Sequence, residues 1–294
     1  MSRIQEILKK AEREGGVRRT RGLSADGGVS AGAATLAAPM PLSAPAREMP
    51  ATDRDDAEPV IARRAGSGAL DHRLVAALAP RSLAAEQYRS LRTRVRQAEN
   101  GRSLRSIIIT SPSKGDGKSL TAANLSLTMA QEFQPRVLLL DADLRRPSIH
   151  TLFGIGDAPG LSDVLMGGAA LEDALVHLED QHLSILPAGL PPTSPAELLG
   201  SAAMRRTLET LRTRFDRIII DMPPVEPLAD VHILTPIADA VLMIVRAGLT
   251  EKPAIDRALH GLDVSKVLGL VLNEAATDKD GERYNGYGYG YIGG

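Results

Sequence analysis

From Arg105 onward, apolar residues fall in short unbroken runs, each separated from the next by polar turns or by longer stretches of helical spacing. The runs are RSIIIT at 105–110, RVLLLDAD at 136–143, LSILPAG at 183–189, RIIIDMPPV at 217–225, DAVLMIVRAG at 239–248 and KVLGLVLNEA at 266–275. They are rich in Ile, Val and Leu and do not alternate with polar residues. Strands read this way when both faces of a sheet are covered. Helical spacing follows at 82–99, 120–133, 194–215 and after Lys252, while 144 to about 180 shows no clear period and reads as loop-rich. Strands alternating with helices predict an α/β fold, a mostly parallel sheet with helices on both faces. Ligands of such sheets gather beyond the carboxyl ends of the strands.

Before Ala69 the pattern is different. Residues 2–14, SRIQEILKKAERE, read as a short helix capped by Ser2, with Ile4, Ile7, Leu8 and Ala11 on one face. A helix so short is marginal alone, so it is expected to dock on a partner, with a membrane-surface role as the alternative. From Gly15 to Gly68 the chain turns to Ala, Gly, Pro, Ser and Arg without periodicity, the composition of a disordered linker. As a flexible chain it would reach roughly 40 Å. The expected organisation is a docking helix at 1–14, a linker at 15–68, a catalytic domain at 69–276 and a tail at 277–294.

Bulk properties narrow the partners. A length of 294 residues allows one α/β domain plus a sizeable extra segment. The net charge of −1 gives no reason to expect nucleic acid, and the absence of cysteine excludes disulfides and thiolate metal sites. The six histidines show no metal-ligand spacing. No apolar run reaches the ~20 residues of a membrane span, and no signal peptide is evident. A soluble, cytoplasmic protein is expected.

The chemistry starts where the first strong strand ends. SPSKGDGKS, residues 111–119, follows the β-branched run Ile107–Ile109 and precedes a helix, the setting of a phosphate-binding P-loop. Gly115 and Gly117 let the backbone turn and aim N–H groups at anionic oxygens. Lys118 brings a charge for the β- and γ-phosphates, and Ser119 a hydroxyl for Mg²⁺; the cradle as a whole is Lys114, Gly115, Asp116, Gly117, Lys118, Ser119 and Leu120. Pro112 stands where the usual pattern has its first glycine. Asp141 and Asp143 end a second apolar strand on a shared face, and Asp221 ends a third. Carboxylates so placed repel one another unless a cation is near, so ATP and Mg²⁺ are the expected ligands. Arg145 and Arg146 follow the pair, either to stabilise transferring phosphoryl charge or to cap a turn. Asn273, ending the last strand, either touches adenine or closes a turn. Four of the five tyrosines, Tyr284, Tyr287, Tyr289 and Tyr291, crowd the glycine-rich end YNGYGYGYIGG. Alone that is a low-complexity tail; behind a phosphate-transfer site it reads as a set of acceptors.

From Asp71 to its end the sequence resembles the bacterial tyrosine kinases of exopolysaccharide export, whose catalytic domain derives from P-loop ATPases. The resemblance rests on E-x-x-R-x-x-R in PRSLAAEQYRSLRTR, the Walker A stretch SPSKGDGKS and the Walker A′ stretch LLLDADLRRP. PGLSDVLMG, PAELL, the Walker B stretch IIIDMPP and the tyrosine cluster complete it. It implies catalytic roles for Lys118, Asp141, Asp143 and Asp221, with Mg²⁺ on Ser119, Asp143 and Asp221. Asp141 would orient or deprotonate the incoming tyrosine. It implies that Glu86, Arg89 and Arg92 build a ring of subunits in which one tail enters a neighbour's site. Implied partners are an inner-membrane polysaccharide co-polymerase that activates the kinase, and a cognate phosphotyrosine phosphatase. The kinase would then sit peripherally at the inner membrane. Two other readings share the P-loop: a partitioning-type switch ATPase and a nucleotide-dependent scaffold. The switch ATPases often carry a lysine five residues before Lys118, where this chain has Ser113.

Overall fold

The computed structural model describes residues 63–64, 69–99, 101–132 and 136–275; the expected helix at 2–14, all of the expected linker but Arg63–Arg64, and the tyrosine tail lie outside them. The strands are β1 (Arg63–Arg64), β2 (Ser106–Thr110), β3 (Val137–Asp141), β4 (Val176–Leu178), β5 (Leu183–Leu186), β6 (Arg217–Asp221), β7 (Ala240–Arg246) and β8 (Val267–Asn273). They form one sheet in the order β1-β4-β5-β3-β6-β2-β7-β8. All pairs are parallel except β4 with β5. Helices among the described residues are α1 (Val75–Leu78), α2 (Leu83–Ala98), α3 (Lys118–Ala130), α4 (Ile149–Phe153), α5 (Leu161–Leu165), α6 (Leu171–Ala174), α7 (Pro195–Gly200), α8 (Ala202–Arg214), α9 (Asp230–Leu234) and α10 (Lys252–His260).

The mostly parallel sheet follows from the apolar runs. Ile107–Ile109, Leu138–Leu140 and Ile218–Ile220 are all fully buried, which is why neither face of these strands tolerates alternation. Helix α3 is buried from Thr121 to Ala130. Its hydroxyls stay satisfied by bonding back one turn, Ser126 to the Ala122 carbonyl and Thr128 to that of Asn124. Asn124 ties the preceding segment down, accepting from the Ala76 N–H and donating to the Arg73 carbonyl.

Three expectations change. The single helix expected over 194–215 is two, because Ser201 leaves the helix and its hydroxyl accepts from the Met204 N–H as the N-cap of α8. The loop-rich region contains α4, α5, α6 and β4, each only three to five residues long, too short to establish a period. Arg63–Arg64, inside the expected disordered linker, pairs in parallel with Val176–His177 as an edge strand. Among the described residues no helix is long and apolar enough to cross a membrane.

Parallel pairing brings the carboxyl ends of β3, β6 and β2 together, with Asp141 opposite Asp221 and Asp221 opposite Ile109.

Candidate active site

The P-loop leaves β2 tethered to the segment after Asp221. The Thr110 hydroxyl donates to the Pro223 carbonyl at 2.7 Å, and the Val225 N–H to the Ser111 carbonyl at 2.9 Å. Gly115 and Gly117 have φ of +89° and +92°, the left-handed region that glycine enters without strain. At Gly117 space decides as well, since a Cβ there would lie 2.1 Å from Asn273 Nδ2. Gly117 then starts α3, so the loop empties its N–H groups at the positive end of a buried helix.

Lys118 begins α3 and reaches across to the second strand end: its Nζ lies 2.9 Å from Asp143 Oδ2 and 3.2 Å from Ser119 Oγ. Burial works against the ammonium charge, but the carboxylates of Asp221 and Asp143 more than offset it and hold its pKa above the ordinary lysine value. Asp141 is completely buried. It accepts from the N–H groups of Asp143, Ser148 and Ile149, each at 3.1 Å. These bonds favour its charge, yet burial first, and the nearby Asp221 second, push its pKa well up. Asp221 is also fully buried, and among the described residues neither of its carboxylate oxygens has a hydrogen-bond partner in good geometry, the Ser119 hydroxyl being near but not aligned. Burial raises its pKa against the pull of Lys118 and Ser119.

Asp116, the other buried acid of the loop, points away from the phosphate side. Its carboxylate accepts from the Ser113 N–H and from the Thr250 hydroxyl, and its carbonyl accepts from Asn273 Nδ2. Leu120 packs against the core, so only its backbone N–H can serve a phosphate. Lys114 is exposed. Asn273 therefore braces the P-loop from the end of β8, a contact that its place in the sequence does not reveal.

The two arginines after Asp143 part company. Arg145 makes a two-pronged pair with Asp230 at the start of α9, at 2.7 and 3.1 Å. Asp230 is 1% exposed. Arg145 thus braces the loop rather than facing a phosphate, whereas no hydrogen bond or ion pair among the described residues holds the Arg146 side chain. Arg145→Ala strands the Asp230 carboxylate and is expected to lower stability by about 2–3 kcal/mol, read as an earlier urea midpoint; Asp230→Asn with Arg145→Ala should recover much of it.

The E-x-x-R-x-x-R residues lie on α2. Glu86 and Arg89 pair with each other on the surface, but Arg92 turns inward, to Glu132 at 3.1 Å and the Thr128 carbonyl at 2.8 Å. A cavity of about 490 Å³ lined by Leu104, Arg212, Asp239 and Lys266 lies at the opposite, amino-terminal end of the strands and holds none of the expected site residues.

Comparison with known proteins agrees with this geometry. Residues 104–263 match the family described as AAA domain. The tyrosine-protein kinase YwqD of Bacillus subtilis is 38% identical over 226 residues, covering 76% of this chain and 92% of that protein. The chain belongs to the bacterial tyrosine kinase family. The kinase domain of Escherichia coli tyrosine kinase ETK superposes on this kinase with a TM-score of 0.65 at 28% identity, covering 74% of this chain and 84% of that one. The succinoglycan biosynthesis transport protein ExoP of Rhizobium meliloti is 34% identical over 209 residues, 69% of this chain and only 26% of ExoP.

The site suits a magnesium ion. Buried Asp221 oxygens without partners, beside Asp143 and the Ser119 hydroxyl, are hard oxygen donors with an unmet need for positive charge. Mg²⁺ would complete its shell with phosphate oxygens and waters.

Proposed function

We propose that this kinase transfers the γ-phosphoryl group of ATP to its own C-terminal tyrosines, Tyr284, Tyr287, Tyr289 and Tyr291, the acceptor tail coming from a neighbouring copy in a ring. The observation that carries the reading is the meeting of the P-loop lysine with three buried carboxylates at the ends of β3 and β6, in a chain that ends in a tyrosine cluster. Transfer needs positioning and charge neutralisation more than covalent help from the protein. Gly115, Gly117 and the first N–H groups of α3 hold the phosphates, and Lys118 neutralises the β- and γ-oxygens. Ser119, Asp143 and Asp221 would hold Mg²⁺, which would supply further positive charge for the transferring phosphoryl group. The tyrosine oxygen bonds to the γ-phosphorus as the bond to the ADP oxygen breaks. The phenol proton passes to the ionised form of Asp141, whose raised proton affinity suits that task once the site's charge is offset by bound ligand.

Of the three motif residues on α2, Glu86 and Arg89 lie at the surface and are proposed as the ring contact, with Arg92 supporting the helix from below. ExoP carries its kinase-like part within a much longer chain. We assign to this kinase a separate inner-membrane co-polymerase as activator, which would hold it at the membrane, a phosphotyrosine phosphatase to reset it, and a role in exopolysaccharide export. Each phosphate adds about −1.5 to −2 charge, so a fully modified tail repels its neighbours and loosens the ring.

Replacing all four tail tyrosines by phenylalanine is expected to abolish nearly all phosphate incorporation from labelled ATP while leaving ATP affinity within about twofold. Incorporation that persists in that variant would move the acceptor elsewhere. Native mass measurement of modified and unmodified protein checks the ring: the modified form should shift to smaller assemblies.

A further inference from the structure

We infer that Thr250 is a positioning residue of the nucleotide site, acting through Asp116 to hold the P-loop in its phosphate-receiving shape; the inference rests on the proposed nucleotide reading. Thr250 lies in the turn after β7, outside every motif in the sequence. Its hydroxyl donates to Asp116 Oδ1 at 2.8 Å and accepts from the Arg246 N–H at 2.8 Å. Its own N–H closes the turn on the Arg246 carbonyl at 3.0 Å. The other oxygen of Asp116 takes the Ser113 N–H at 2.9 Å, and Asp116 is only 3% exposed.

The geometry divides the P-loop into two sides. On the inner side Lys118 meets Asp143 and Ser119, where the phosphates would lie. On the outer side the ends of β7 and β8 hold the loop at the Gly115 carbonyl and at Asp116. Arg246 donates to the Gly115 carbonyl at 3.4 Å while pairing with Glu274 at 2.7 Å, and Asn273 holds the Asp116 carbonyl at 2.9 Å. The loop carries two left-handed glycines, so its conformation is not fixed by its own sequence. Binding strength at such a cradle depends on how much ordering is left for the ligand to impose. Among the described residues, the Thr250 hydroxyl makes the bond by which the turn after β7 reaches the buried carboxylate of the loop.

The test is calorimetric titration of the full chain with Mg·ATP, with melting temperature as a second readout, for wild type, Thr250→Val and Thr250→Ser. Valine keeps the shape and removes the hydroxyl; serine restores it. Valine is expected to weaken ATP binding about tenfold, the size of one lost hydrogen bond to a charged group, and serine to remain within about twofold of wild type. Wild-type affinity in the valine variant, or equal weakening in both variants, overturns the inference. Weakened binding that tracks only a fallen melting temperature, and is recovered on cooling, would also overturn it in favour of a purely structural role. If wild type itself fails to bind ATP, the nucleotide reading has failed and this inference falls with it.

Discussion

Asp221→Asn is expected to halt phosphoryl transfer, by about a hundredfold or more, and at the same time to stabilise the protein. Three carboxylates, Asp141, Asp143 and Asp221, share a buried space with one ammonium group, that of Lys118. Among the described residues Asp221 is the member with no well-aligned hydrogen bond at either oxygen. An asparagine of the same shape removes one negative charge and gives its neighbours a donor, while a metal ligand disappears. Relief of even 1 kcal/mol raises the melting temperature by about 2–4 °C in a domain of this size. Stability traded against function is the mark of a site built to receive a cation.

The same crowding sets a pH dependence. The folded state keeps protons on Asp141 and Asp221 at pH values where the unfolded chain has released them, because burial raises both pKa values. Stability of the nucleotide-free protein therefore falls as pH rises from the ordinary carboxylate range toward and past neutrality. Thermal scans should show that slope in wild type, a shallower one in Asp221→Asn, and its reversal on adding Mg·ATP. A melting temperature that drops in Asp221→Asn would mean that the carboxylate has a stabilising partner instead.

Lys118→Met should lose transfer more severely, by about a thousandfold or more, and here stability should fall. The ammonium is the only cation of the buried cluster, within 2.9 Å of Asp143, and the two side chains are 12% and 5% exposed. Deleting it leaves uncompensated buried charge, for which about 3 kcal/mol is a reasonable loss. The two variants thus share an activity phenotype and have opposite effects on melting. That opposition separates a site whose charges are balanced by Lys118 and awaiting a metal from a pair of generic core lesions, which would both lower the melting temperature.

Much of this was readable in the sequence because it is local. Three isoleucines or leucines in a row, bounded by turn residues and repeated along the chain, read as covered strands, and the P-loop signature lies within nine consecutive residues. Asp141, Asp143 and Asp221 were recognisable because each ends such a strand; the parallel register then brings Asp141 beside Asp221. What escaped is what depends on distant contact or on short elements. Helices α4 to α6 and strand β4 are too short to repeat their period often enough to reveal them. Thr250 meets Asp116 across 134 positions, and Asn273 meets it across 157. Asp230 claims Arg145 from 85 positions away, a partner that spacing alone does not reveal. Arg92 shares its motif with Glu86 and Arg89, yet packing against α3 turns it inward. No pattern along one helix distinguishes an outward from an inward arginine when its acceptor is a carbonyl on another.

The central claim, that the chain is a tyrosine autokinase using its own tail, is tested most directly by peptide mass spectrometry after incubation with Mg·ATP, alone and with the membrane activator, with Lys118→Met alongside. The account predicts phosphate on Tyr284, Tyr287, Tyr289 or Tyr291 in wild type and none in the variant. A tail that stays unmodified under both conditions, while wild type hydrolyses ATP in a Lys118-dependent manner, would contradict it.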